Sequence, residues 1–125
     1  MSGRDSSLAT PLTLAAIIEV TTGVVVLIAP AMVVRWLLGS EPPSSAVARC
    51  FGIALLALGA ACWPTEERSP VQAFRAMSIY NALIALYLVL VQMIGHVAGP
   101  LLWPVVALHA AIACWLVWAS RLPRT

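Results

Sequence analysis

The sequence predicts an all-α protein, an integral membrane bundle of four transmembrane helices forming a single domain over residues 1–125. Three observations carry that expectation. The chain is 62% apolar and 10% charged, against about half apolar and a quarter charged in soluble domains. Its apolar residues come in long runs rather than amphipathic stripes. Proline- and glycine-containing breaks separate the runs. Spanning β structure is disfavoured, because a small sheet in lipid leaves backbone edges unsatisfied.

A hydrocarbon core of about 30 Å takes roughly 17 to 25 helical residues to cross. The runs reach that length near residues 11–33, 46–63, 71–94 and 100–119. Thr10-Pro11 and Ser69-Pro70 each offer a hydroxyl N-cap followed by proline at the first helical position, where its missing N–H is harmless. Gly99-Pro100 opens the fourth span in a related way. "GSEPPSS" precedes the second span and "PTEERSP" the third. "MVVRWLLG", after Pro30, is expected to lie along the outer interface with Arg35 snorkelling. A secretory signal fits the N-terminus poorly, since the first run is longer than a usual signal core, carries Glu19 and is followed by Pro30 and more apolar chain.

Four spans put both termini on one side with the loop between spans two and three. That side carries Arg4, Arg68, Arg75, Arg121 and Arg124, and the other Arg35 and Arg49. The positive-inside rule then places the termini in the cytoplasm. Trp36 and Trp103 fall at the outer boundary, Trp63 and Trp118 at the inner one, where amphipathic rings are favoured. All seven cations are arginine, and no basic arm is present to meet nucleic acid. Cys50, Cys62 and Cys114 lie within apolar runs and read as buried thiols. Cys50 and Cys62, about 18 Å apart along one helix, can neither pair nor share a metal.

Small residues mark the faces that pack. Ala48, Gly52 and Gly59 recur at helical spacing on the second span, and Ala15, Ala16 and Gly23 surround Glu19 on the first. Glu19 is thereby expected to face the bundle. Counted inward from the outer helix ends at 1.5 Å per residue, Glu19 lies about 16 Å deep, His109 about 13 Å and Tyr87 about 12 Å. Arg49, about 6 Å deep, can reach up to headgroups or down to Glu19. On the third span Ser78, Asn81, Ala85 and Gln92 form a small-polar stripe with Tyr80 beside it. Glu19, Arg49, Asn81, Tyr87 and His109 are therefore the candidate ligand-binding or proton-site residues, because ionisable groups at membrane depth are costly and often functional. Structural readings stand beside these: Glu19 as a register-fixing acid, neutral or paired with Arg49, His109 and Asn81 as interhelical hydrogen-bonding residues, and Arg49 as an interface anchor.

No cofactor, metal site or catalytic set is expected. His96 and His109 are too far apart in depth for bis-histidine haem ligation. The sequence contains no CxxC, HExxH, phosphate loop, GxSxG or paired-carboxylate pattern.

The succession of Glu19, Gly23, Pro30, "ARCFGIALLALGAACWP", "SIYNALIALYL" and "GPLLWPVVALH" resembles the small four-span bacterial membrane proteins of the DoxX-like and related uncharacterised groups. That resemblance covers most of the chain and implies a bacterial inner-membrane home and accessory roles beside redox or stress systems, with no catalytic residue to carry over. "AAIIEVTTG" is also similar to the first span of the small multidrug resistance transporters, which implies a proton-coupling role for Glu19, although the third span here lacks their Tyr-Ala-x-Trp segment. The expected function is a binding or accessory subunit whose polar layer binds a small lipophilic molecule or stabilises a membrane complex, as a homo-oligomer or with a larger partner. The alternative is a proton-coupled small transporter using Glu19. A lipid- or quinone-directed enzyme is the least favoured class.

Overall fold

The computed structural model describes residues 3–41, 44–65, 70–96 and 99–121. Arg68, the Ser69 cap, Arg124 and the side chain of Arg4 lie outside the described residues. Those described form five helices and no strand: α1 (Gly3–Ile28), α2 (Pro30–Leu38), α3 (Ser45–Ala61), α4 (Pro70–Gly95) and α5 (Leu102–Arg121). Three are long and apolar enough to cross a membrane, over Ala9–Ile28, Val71–Gly95 and Leu102–Ser120. The expected second span, α3, is a shorter apolar helix of 17 residues and is not among those three.

The first span differs most from expectation. α1 begins at Gly3 and runs through Pro11, so Thr10 is not its cap. The turns before Pro11 are themselves helical, and the Thr13 hydroxyl donates to the Ala9 carbonyl at 2.7 Å. At the other end the span stops at Ile28 rather than near residue 33. Pro30 has no N–H to continue the hydrogen-bond ladder, Ala29 turns out of helical geometry (φ −131°, ψ 59°), and Pro30 becomes the first residue of α2. The expected interfacial segment is thus a separate short helix. Gly39, at φ 70°, closes it by donating its N–H to the Arg35 carbonyl at 2.8 Å, in the left-handed conformation glycine adopts without penalty.

Helices α1 and α3 form one closely packed pair, and α4 and α5 another. Against α4 and α5, α1 makes smaller seams, and α2 rests on α1, α3 and α5. The α1–α3 contact is backbone against backbone. A Cβ on Gly23 would lie 2.8 Å from the Gly52 carbonyl oxygen, and one on Gly52 would lie 2.9 Å from that of Gly23. Seven residues along each helix, a Cβ on Gly59 would lie 3.0 Å from the Ala16 carbonyl oxygen and 2.6 Å from a Val20 methyl. The small-residue faces read from the sequence therefore pack on each other.

Side chains from α1, α4 and α5, with Cys62 at the end of α3, make the apolar core: Leu12, Ala16, Met77 and Leu116 are fully or almost fully buried there. The outward faces are apolar too, with Ile53, Leu83, Leu86 and Val117 exposed. Trp36, Trp63, Trp103 and Trp118 are exposed, each in or near an end of its helix. Of the three cysteines only Cys62 is buried. Cys50 and Cys114 project from the outward faces of α3 and α5, against the expectation that all three are enclosed.

α4 rises beyond its neighbours. Asn81 is level with His109 through their hydrogen bond; α4 continues fourteen residues past Asn81 to Gly95, whereas α5 begins seven residues before His109 at Leu102. The overhang is about 10 Å. The return loop is tied to α2, where Leu101 donates its N–H to the Trp36 carbonyl at 2.9 Å. Gly99 lies so close to the Trp36 and Leu37 backbone that no side chain fits.

Candidate functional site

Glu19 projects from α1 toward the α4/α5 pair and is 1% exposed. Its Oε1 atom is buried and has no hydrogen-bond partner. The Tyr80 phenol of α4 lies beside the carboxyl, and the Cys62 thiol is in electrostatic range. Burying a polar oxygen without a partner opposes folding, so nothing in packing alone favours an acid over leucine here.

One residue on, Asn81 is 0% exposed and His109 of α5 is 8% exposed. His109 Nδ1 and Asn81 Oδ1 are 2.7 Å apart, and Asn81 Nδ2 donates to the Met77 carbonyl at 2.9 Å. The Tyr80 and His109 rings meet edge to face, with centroids 6.0 Å apart at 79°. Tyr80 therefore adjoins both Glu19 and His109. The result is one buried polar layer with contributions from α1, α4 and α5, at the seam between the two helix pairs.

Of the five residues singled out from sequence, the structure brings Glu19, Asn81 and His109 into this layer. Arg49 and Tyr87 stand apart from it. Tyr87 is 61% exposed on the outward face of α4. Arg49 is exposed and donates from Nε to the Leu27 carbonyl at 3.3 Å. That carbonyl is in the last turn of α1, where the break at Pro30 leaves acceptors without helical donors, so Arg49 caps α1 rather than pairing with Glu19. Arg35 forms an exposed ion pair with Glu41. Ser78 turns its hydroxyl back to the Phe74 carbonyl of its own helix at 2.8 Å. Gln92 is far along α4, where its Oε1 is buried without a partner.

Tyr80 is the residue that the outer-end depth count missed. Counting from the other ends finds it: Glu19 is ten residues beyond Ala9 and Tyr80 nine beyond Val71, the starts of the two apolar spans. No group of three or more His, Cys, Asp or Glu suited to a metal occurs among the described residues. Comparisons with protein families, curated proteins and solved structures give no match.

Proposed function

We propose that the chain is a four-span protein of the bacterial inner membrane that binds a small lipophilic molecule at the Glu19–Tyr80–Asn81–His109 layer, serving as a binding or accessory component. The observation that carries this reading is the partnerless Glu19 Oε1, a buried carboxyl oxygen left open at a cost in stability. The seams of α1 with α4 and α5, smaller than those within either pair, offer the route by which a molecule dissolved in lipid would reach it. At 17 residues α3 has the minimum length for the fourth crossing. Arg4, Arg68, Arg75, Arg121 and Arg124 favour cytoplasmic termini over the orientation that Arg35 and Arg49 would favour.

Native mass spectrometry of the protein released directly from membranes tests the reading. A bound small molecule retained by the wild type and absent from Glu19→Leu supports it. Equal retention by both removes Glu19 from the site. The same spectra report any partner chain or second copy.

A second reading, the proton-coupled transporter, is favoured by one feature: two protonatable side chains, Glu19 and His109, both adjoin Tyr80. It requires proton-driven flux in proteoliposomes that Glu19→Gln abolishes while the fold is kept. Flux surviving that change eliminates the carboxyl as the coupling group.

A further inference from the structure

The Met77 carbonyl can only accept a hydrogen bond, so the Asn81 atom 2.9 Å from it must be the amide nitrogen. The Asn81 oxygen therefore faces His109, and an amide oxygen can only accept. The His109 atom 2.7 Å from that oxygen, Nδ1, must then carry a hydrogen. In a neutral imidazole one nitrogen bears the hydrogen and the other a lone pair, which leaves His109 Nε2 as an acceptor. No hydrogen bond to Nε2 occurs among the described residues. Glu19 Oε1 is likewise an oxygen without a partner, and Tyr80 adjoins both groups.

We infer that Asn81 is a positioning residue that holds His109 as its Nδ1–H tautomer, and that the layer consequently selects a ligand that donates hydrogen bonds, such as an alcohol or phenol, over one that only accepts them, such as an ether or ketone. The ligand half rests on the binding reading above; the tautomer half does not. A donor entering the layer replaces hydrogen bonds lost on leaving water, whereas an acceptor-only molecule leaves Nε2 unsatisfied. Sites built around buried hydrogen-bonding groups reject analogues that lack the matching group by large factors.

Two measurements decide the two halves. Nitrogen-15 spectra of histidine-labelled protein in lipid nanodiscs distinguish the tautomers, with His96 as the exposed internal reference. The wild type should show His109 protonated at Nδ1 and bare at Nε2. Asn81→Leu should release the ring into a mixture, and Asn81→Asp, which keeps an acceptor facing Nδ1, should restore a hydrogen there. A wild-type ring protonated at Nε2, or at both nitrogens, overturns the tautomer assignment. For the ligand, 4-hexylphenol is titrated against 4-hexylanisole, its methyl ether of nearly the same shape. The phenol should bind at least tenfold more tightly and shift the His109 Nε2 resonance. Equal binding overturns the donor selectivity while leaving a site in place; binding of neither, with the Nδ1–H tautomer intact, removes the binding reading itself.

Discussion

Between α1 and α3, Gly23 and Gly52 bring backbone against backbone; between α1 and α4, the Glu19 carboxyl meets the Tyr80 phenol with one oxygen left over. The first seam is close-packed, and its contacts involve main-chain atoms that cannot move aside. The second holds polar groups that pack less completely and are only partly satisfied. One face of α1 is therefore held by main-chain contact, while the other carries the partnerless carboxyl oxygen. On the binding reading proposed above, such a division would let the site stay folded while a ligand enters it.

The largest effect should come from the anchored side. Gly52→Val adds bulk at a position where even a Cβ falls 2.9 Å from a carbonyl oxygen, so the helices must separate. A loss of about 3 kcal/mol is expected, read from unfolding in mixed detergent micelles. A variant as stable as wild type would show that the α1–α3 seam is not the rigid one. Next comes Asn81→Leu, which leaves the His109 Nδ1–H buried without an acceptor and should cost about 1–3 kcal/mol in the same assay. Glu19→Leu should act in the opposite direction, raising stability by about 1 kcal/mol because a partnerless polar oxygen is removed, while ligand retention is lost. If it destabilises the fold instead, Glu19 is a structural acid and the contrast between the two seams collapses. A smaller change is expected for Arg49→Gln, about 0.5 kcal/mol, since an exposed guanidinium at a helix C-terminus contributes little. Tyr87→Phe, on the outward face, should match wild type in both stability and ligand retention.

Much of this arrangement is legible in the sequence. Apolar runs and their proline and glycine breaks locate the long helices to within a few residues, apart from the start and end of α1. The small-residue spacing of Gly23, Gly52 and Gly59 identifies the faces that pack, since only residues lacking bulk permit that approach. Glu19, Asn81 and His109 stand out because polar groups are rare in such runs. Which tyrosine meets Glu19 depends on where the helices end in space. Depth counted from the outer ends assumes those ends are level, and the overhang of α4 breaks that assumption, favouring Tyr87 over Tyr80. Arg49 misleads for a related reason: a long cation near a buried acid looks like its partner, but the carbonyls exposed by the break at Pro30 are nearer.

The overhang also bears on the surrounding lipid. With 26 residues α4 is about 39 Å long, and α3 with 17 is about 25 Å. If α3 makes the fourth crossing proposed above, a hydrocarbon slab of about 30 Å accommodates α4 by tilt or by placing its ends among the headgroups, and α3 by local thinning. On that reading short-chain lipids should gather along the α3 flank.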